Sequence, residues 1–277
     1  MKKVFLTLFA AAVSVAAMAQ FYVCKDGVVV YKIDDGIADS ITFIEPNFSK
    51  VTDFYHDGSE AGYNYVDLGL TSGTKWATAN VGASKAQDYG NYYAWGEVTT
   101  KETYNWSTYL DGNISSNSDC GTDKDALKGV TDIAGTEYDA AYVNWGGKWR
   151  MPTKAQQEEL CDECYLVWTE SYNNSNVAGY IVYKAKTSSD KGVKICEDET
   201  PSSSYKLSDA HIFLPVAGYR YGGDLNDAGS YCDGWSSSLG TGYPYYAWSV
   251  HFGSGHVRSS DDYRYFGQSV RAVCPAE

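Results

Sequence analysis

The amino-acid sequence predicts an α+β domain that is rich in loops, with short antiparallel strands and one or two helices, preceded by a small β segment. Three observations lead to this prediction. Stretches of alternating residues are short and are separated by turn residues. Only one stretch combines helical spacing with a clear N-terminal cap. The composition, with 25 Tyr, 8 Trp and 27 Gly among 277 residues, is typical of an extracellular β-rich or loop-rich domain.

The charge of the chain argues against two classes of partner. There are 35 Asp and Glu against 22 Lys and Arg, which gives a formal net charge of -13. Nucleic-acid binding needs a basic surface that displaces counterions from phosphates, so we expect no nucleic-acid partner. The same excess of negative charge argues against adsorption to an anionic membrane surface.

Residues 1–19 are typical of a secretory signal peptide. Lys2 and Lys3 provide the positive start, an apolar run follows, and residues 17–19 (Ala-Met-Ala) offer a cleavage site. The run is too short for a transmembrane segment, and we expect none elsewhere in the sequence. A buried N-terminal helix is the alternative interpretation of the same run. We expect an exported protein, secreted or on the outer cell surface, with the periplasm as the alternative compartment.

The mature chain is expected to begin with a short N-terminal β segment, residues 20–46. A polar, irregular linker, residues 47–61, then leads to the main domain, residues 62–277. An Asp-Gly turn separates the first two strands of the β segment. Its three strands are expected at Phe21–Lys25, Val28–Ile33 and 40–44.

Most of the main domain is predicted to consist of strands and loops. Residues 84–130 should form long ordered loops with embedded aromatic side chains, and residues 253–262 should form a further loop near the C-terminus. The expected strands lie at 65–68, 75–80, 179–185, 211–214, 246–252 and 268–273.

Two helices are predicted. A short one covers residues 139–144. The clearer one begins after Thr153, where Gln156 completes a capping box. Its helical spacing is provided by Gln157, Leu160, Cys161, Cys164 and Leu166.

Large aromatic side chains are expected to anchor a domain with little regular structure. Trp76, Trp145, Trp149 and Trp235 can each bury a large area and donate one hydrogen bond. Arg150 is expected to fasten a loop by donating from its planar guanidinium to carbonyls or a carboxylate.

An ordered series of motifs extends over residues 63–274. It runs YVDLGLTSGTKWATANVGA, DYGNYYAWGE, YNWSTY, AAYVNWGGKWRMPTKAQQEEL, IFLPVAGYRYGG, GWSSSL and FGQSVRAV. The series resembles the Fibrobacter succinogenes major paralogous domain family, which is abundant on exported proteins of gut Bacteroidetes. The resemblance implies a C-type-lectin-like fold, related to formylglycine-generating enzymes and to variable proteins of diversity-generating retroelements. It implies a binding or adhesion module without an established reaction.

The sequence contains no pattern that marks an active site, and we expect no enzyme. A nucleophile elbow, a zinc-protease motif and a phosphate-binding loop do not occur. The seven cysteines are an odd number, so at least one is unpaired. Cys161 and Cys164 form a C-x-x-C motif, but nothing near it in sequence lowers a thiol pKa, so we expect two small core residues.

No cofactor is expected, with calcium as a weaker hypothesis. In GGDLNDAG, Asp224, Asn226 and Asp227 offer oxygen ligands on a loop. Such Asp, Asn and Gly loops are usually turns.

The C-terminal segment, residues 241–266, is the candidate binding surface. Its Tyr, Ser, Gly, His, Arg and Asp residues match the composition of antibody paratopes. Residues 249–266 lack Lys, Glu, Gln, Met and Trp, which fits diversification by mutation at adenines. An ordinary Tyr-rich loop is the alternative. The candidate ligand-binding residues are Tyr243, Tyr245, Tyr246, Ser249, His251, Ser254, His256, Arg258, Ser259, Asp261, Tyr263 and Tyr265.

Alternation in the strand expected at 246–252 predicts which side chains point outward. Ala247, Ser249 and His251 should face solvent, whereas the more apolar set should face the core. The candidate residues would then form one exposed patch. The apolar set consists of Tyr246, Trp248, Val250 and Phe252.

These expectations combine into an exported module that binds a surface protein or a glycan through the C-terminal segment. It would be a candidate target of a diversity-generating retroelement. Two alternatives stay open: a structural cell-envelope protein without a soluble ligand and, less favoured, a thiol-dependent enzyme related to formylglycine generation.

Overall fold

The computed structural model describes the backbone of residues 21–25 and 28–33 and the whole of residues 55–276. The chain divides into two compact units, Met1–Val51 and Thr52–Glu277. Among the described residues, no helix is long and apolar enough to cross a membrane.

In the first unit, β1 (Phe21–Lys25) and β2 (Val28–Ile33) pair antiparallel, as their alternating residues predict. The predicted signal peptide (1–19), the third strand (40–44) and most of the linker lie outside the described residues.

The first sheet of the second unit joins the two ends of that unit. It contains β3 (Gly58–Glu60), β4 (Tyr63–Val66), β5 (Lys75–Ala77) and β15 (Val273–Cys274), in the order β15-β5-β4-β3. The strands expected at 65–68 and 75–80 are present in part. The end of the predicted linker, 47–61, is not a linker, because β3 pairs with β4 there.

The second sheet lies in the core. It contains β6 (Cys164–Thr169), β7 (Gly179–Lys184), β8 (Lys194–Ile195) and β9 (His211–Pro215), in the order β8-β6-β7-β9. The strands expected at 179–185 and 211–214 are confirmed. The helix predicted to continue through Cys164 and Leu166 is wrong at that end, because β6 begins there. The short apolar sequence of β6 is buried on both faces. Its hydrophobic residues therefore show no periodicity that distinguishes a strand from a helix.

The third sheet contains most of the C-terminal segment, and a hairpin precedes that sheet in sequence. The sheet is β12 (Tyr231–Leu239), β13 (Tyr246–Gly253) and β14 (His256–Tyr263), and the hairpin is β10 (Tyr219–Tyr221) with β11 (Asp224–Asn226). The loop predicted at 253–262 is wrong, because β14 pairs along the whole of β13. The strand expected at 268–273 is present only at its last residue, Val273.

Both predicted helices are present, the second only as far as Glu163, and each has a capped N-terminus. In α1 (Ala140–Trp145) the Asp139 side chain accepts hydrogen bonds from two backbone N–H groups. In α2 (Lys154–Glu163) the Thr153 side chain accepts from the Gln156 N–H, and Gln156 accepts from the Thr153 N–H at 2.9 Å. The α2 helix packs against the third sheet.

The four predicted Trp anchors are buried: Trp76, Trp145, Trp149 and Trp235. Trp149 donates its Nε1–H to the carbonyl of Glu60 at 2.8 Å, and Trp235 donates to the carbonyl of Tyr93 at 2.8 Å. The indoles of Trp149 and Trp235 therefore bury their apolar area and also satisfy their single donor. The Nε1–H of Trp76 is buried without a hydrogen-bond partner among the described residues.

Arg150 does not have the anchoring role predicted for it. Its guanidinium makes no hydrogen bond within residues 55–276, and only its backbone pairs with Val273. The buried Arg271 is an anchor instead, donating to Asn80 Oδ1 at 2.8 Å and to two backbone carbonyls at 3.1 and 2.8 Å. Burial lowers the pKa of Arg271 to about 9.

Candidate functional site

The predicted site residues lie on both faces of the third sheet. Residues directly opposite each other on paired strands point to the same face. His251 pairs with Arg258, and His256 lies two residues away on that face. Tyr246 pairs with Tyr263 on the other face. The prediction of one exposed patch on one side is therefore wrong.

The burial of β13 also differs from its predicted alternation. Ala247 and Ser249, expected to face solvent, are 0% and 1% exposed. Trp248, expected in the core, is half-buried at the surface. Ala247 packs beside Trp235 in an apolar cluster, and α2 covers the opposite face. Because both faces are partly covered, alternation of polarity does not show which face is outward.

Eight aromatic side chains form a continuous surface at one end of the third sheet. We call this the tyrosine surface, and its members are Trp106, Tyr221, Tyr243, Tyr245, Tyr246, Tyr263, Tyr265 and Phe266. Ring centroids lie 5.2 Å apart for Tyr243 and Tyr245, and 6.0 Å apart for Tyr245 and Tyr263. The step from Tyr263 to Tyr265 is 5.4 Å. Tyr243 is 57% exposed and Tyr221 is 52% exposed.

The fold thus brings all five predicted tyrosines together, but only Tyr243 is more than half exposed and one of the five is buried. Tyr265 is 9% exposed, and the ring of Trp106 packs on it at 4.6 Å. Trp106, Tyr221 and Phe266 were not predicted for the site. Phe266 directly follows Tyr265, so the sequence could have predicted it as part of an aromatic run. No feature of the neighbouring sequence predicts that Trp106 belongs to the site.

Arg264 follows β14 and fixes the tyrosine surface from beneath. Its side chain is 1% exposed, and Nη1 and Nη2 donate to the two carboxylate oxygens of Asp125, each at 2.9 Å. Nη1 also donates to the carbonyl of Pro244 at 2.8 Å, and the Arg264 N–H donates to the carbonyl of Tyr245 at 3.1 Å. The segment that presents Tyr245 is therefore held in place by a buried cation.

A second group of side chains lines a cleft of about 460 Å³ on the opposite face. We call it the histidine cleft, and it is lined by Asp227, Tyr231, His251, His256 and Arg258. The His251 ring lies 5.2 Å from His256 and 5.6 Å from Tyr231. Three of the lining residues were predicted, whereas Asp227 and Tyr231 were not predicted as ligand contacts.

The two imidazoles of the histidine cleft differ in their affinity for a proton. His251 Nδ1 lies 2.7 Å from Oδ1 of the buried Asp233, and this hydrogen bond raises the pKa of His251. Burial lowers the pKa of His256, and the neighbouring His251 lowers it further. On acidification the cleft therefore takes up its first imidazole proton at His251.

Asp262 lies further along β14 on the same face. Gln268 Nε2 donates to its Oδ2 at 2.8 Å, and Ser249 Oγ donates at 3.3 Å. Burial and the nearby Asp233 nevertheless raise the pKa of Asp262 to about 6. Ser249, predicted as a ligand contact, is instead a buried partner of this carboxylate.

Besides Ser249, three predicted residues belong to neither group. The carbonyl of Ser254 accepts the Glu197 N–H at 3.1 Å. Ser259 Oγ donates to Glu158 on α2 at 3.1 Å. Asp261 is exposed on β14.

Family models, curated proteins and solved structures all gave no match. Evidence for a function therefore comes from the geometry of the site.

Burial raises the pKa values of five described cysteine thiols. Burial raises the pKa of Cys161 to about 11 and that of Cys232 to about 12, and it also raises the pKa of Cys164. Because the thiolate is the nucleophile, these raised pKa values make the C-x-x-C pair less reactive at neutral pH. The free thiols are Cys120, Cys161, Cys164, Cys196, Cys232 and Cys274.

The segment considered for calcium forms a hairpin and a turn. Asp224 and Asn226 lie in β11, and Asp227 has a φ of 57°, which is common for Asp in turns. In residues 55–276 no group of three or more His, Cys, Asp or Glu side chains is placed to hold a metal ion.

Proposed function

We propose that this protein is an exported binding module that recognises a surface protein or a glycan through the tyrosine surface. One observation carries the proposal. Eight aromatic side chains are contiguous, and Tyr221 and Tyr243 are each more than half exposed. Contiguous exposed apolar groups of this kind mark interaction sites rather than ordinary surface.

The chemistry of the tyrosine surface suits recognition. A tyrosine ring gives a large, rigid contact area and its hydroxyl gives a hydrogen bond, so little conformational entropy is lost on binding. The buried Arg264 ties the segment that contains Tyr245 to Asp125. A surface fixed before binding avoids part of the ordering cost of association.

The motif order over residues 63–274 supports membership of the major paralogous domain family and a C-type-lectin-like fold. The observed mixture of few helices and short antiparallel sheets is compatible with that fold. The composition of residues 1–19 supports export to the medium or the outer surface, with the periplasm as the alternative. The composition of residues 249–266 supports retroelement diversification. A reverse transcriptase and a template repeat beside the gene would test it.

The same observations bear on the two alternative functions, a structural envelope protein and a thiol-dependent enzyme. A structural envelope protein would use the tyrosine surface against sister subunits, so it predicts self-association and no soluble ligand. A thiol-dependent enzyme is disfavoured, because the pKa values of Cys161 and Cys164 are raised by burial.

The test is a binding screen with the full mature chain, which begins at Gln20. The protein is applied to arrays of glycans and of surface proteins, and the affinity of each hit is measured. The double variant Tyr221→Ala/Tyr243→Ala should lower affinity at least tenfold. The matched control is Tyr142→Ala on α1, a tyrosine that is 41% exposed and lies outside the tyrosine surface. Equal affinity in both variants would contradict the proposal.

A further inference from the structure

A third concave region lies where α2 approaches the β12–β13 hairpin. It is a cleft of about 710 Å³, a size typical of small-molecule sites. We call it the tryptophan cleft, and its chemistry is set by Thr131, Lys154, Glu158, Thr241, Tyr243 and Trp248. Of these, only Tyr243 belongs to the candidate residues derived from the sequence.

Trp248 provides the apolar centre of this cleft. Lys154 Nζ lies 4.5 Å from the centroid of the indole ring, so a charged group rather than an apolar side chain contacts the ring face. Lys154 also forms an ion pair with Glu158, which neutralises its charge. A flexible ammonium on an indole can swing aside, so the ring face is accessible to another group.

Hydrogen-bonding groups surround the ring. Thr131 and Thr241 line the cleft, and their exposed side chains make no hydrogen bond within residues 55–276. Lys154 supplies donors, and the carboxylate of Glu158 supplies acceptors. The cleft thus presents one aromatic face enclosed by donors and acceptors.

The tryptophan cleft and the tyrosine surface are continuous. Tyr243 lines the cleft and stacks on Tyr245 of the tyrosine surface. Tyr246 lies two residues before Trp248 and therefore on the same face of β13. A single extended ligand can contact both regions.

We infer that the tryptophan cleft is a carbohydrate subsite, in which a sugar ring packs its C–H face against Trp248. The inference rests on the proposed function and narrows the ligand to a glycan. A pyranose carries C–H groups on one face and hydroxyls around its rim, and each hydroxyl both donates and accepts. The free hydroxyls of Thr131 and Thr241 and the Lys154–Glu158 pair match that rim. An apolar protein side chain over Trp248 would leave these groups without partners, which lowers affinity.

The experiment compares the unmodified mature chain with three variants on a glycan array. Calorimetry with soluble hexasaccharides of glucose, mannose, galactose and xylose then measures affinity. Trp248→Ala removes the ring. Gly242→Phe fills the cleft without changing Trp248, because Gly242 lines the cleft and its added Cβ meets nothing within 4 Å. Each variant should weaken glycan binding at least tenfold, while circular dichroism shows an unchanged fold. Tyr142→Ala should bind as the unmodified protein does.

The outcomes separate this inference from the proposed function. Full glycan affinity in both Trp248→Ala and Gly242→Phe overturns the subsite. Binding of a protein but of no glycan by the unmodified chain overturns the carbohydrate assignment and leaves the tyrosine surface as the site. Loss of glycan binding in Gly242→Phe supports the inference even if Trp248→Ala does not fold.

Discussion

Arg264 and Asp125 form a buried, two-point ion pair across 139 positions of sequence. Both side chains are 1% exposed. Burial alone would raise the pKa of Asp125, but the hydrogen bonds from Arg264 and from the Gly121 N–H outweigh it, and the pKa is lowered. The pair therefore stays ionised inside the protein. It joins the irregular segment that contains Asp125 to the strand that presents the tyrosine surface.

Removing one partner of this pair should be costly. Asp125→Ala would leave the guanidinium of Arg264 buried without its counter-charge, and such changes cost about 3–5 kcal/mol. Denaturant titration of the variant measures the loss. The double variant Asp125→Leu/Arg264→Met leaves no buried charge and should lose less than Asp125→Ala. A single variant as stable as the unmodified protein would show that the pair does not hold the fold together.

No local pattern in the sequence could have predicted this ion pair. Asp125 lies in a segment of turn residues, and Arg264 lies in a Tyr-rich segment, so each is typical of an exposed position. Only the path of the chain brings them together. The same holds for Trp106, whose contact with Tyr265 depends on how the long irregular segment returns to the third sheet.

The sequence predicted correctly those structural features that depend on residue type or on residues close together in sequence. The capping box of Thr153 and Gln156 predicted the start of α2, and indole size predicted the burial of Trp149 and Trp235. Strand β14 was missed because its Ser and Asp residues have low strand propensity, and pairing with β13 overrides that preference.

Trp149 is expected to be one of the most costly side chains to truncate. It is 0% exposed, and its Nε1–H donates to the carbonyl of Glu60. Trp149→Ala should lower the free energy of unfolding by about 3–5 kcal/mol, because it leaves a cavity and an unpaired carbonyl. Denaturant titration should show no comparable loss for Tyr142→Ala, whose side chain is 41% exposed. A loss below about 1 kcal/mol for Trp149→Ala would be inconsistent with its burial.

The thiols of the half-buried Cys161 and the buried Cys164 should resist labelling in the native protein. Burial raises the pKa values of Cys161 and Cys164, so the thiolate needed for reaction is scarce at pH 8. An aromatic disulfide reagent should therefore react with both cysteines only after denaturation. The measurement compares the labelling rates of the native unmodified chain and of the native double variant Cys161→Ala/Cys164→Ala. If the double variant lost a rapidly reacting native thiol, the C-x-x-C pair would be accessible, and the thiol-dependent alternative would regain support.

The third sheet should make stability depend on pH through Asp262. Its pKa in the folded protein is raised to about 6 from an ordinary value of 3.8. An acid with a raised folded pKa binds its proton more tightly in the folded state, so stability falls as pH rises between these two values. His251, whose pKa is also raised, adds a further loss as pH rises from its ordinary value of 6.5 through its folded pKa. Both groups thus favour the folded state at mildly acidic pH.

Asp262→Asn should therefore stabilise the protein at pH 7.5 and have little effect at pH 4. At pH 7.5 the unmodified chain must bury an ionised carboxylate. The pKa shift of Asp262 corresponds to a loss of folding stability of about 3 kcal/mol at most. At pH 4 the Asp262 carboxyl is already neutral in the folded state, so an amide of the same shape changes little. Denaturant titrations at the two pH values measure the difference. Asp261→Asn, at the adjacent exposed position on the opposite face of β14, is the matched control and should show no such contrast. Stabilisation by Asp262→Asn that is equal at both pH values would show that Asp262 does not titrate in this range.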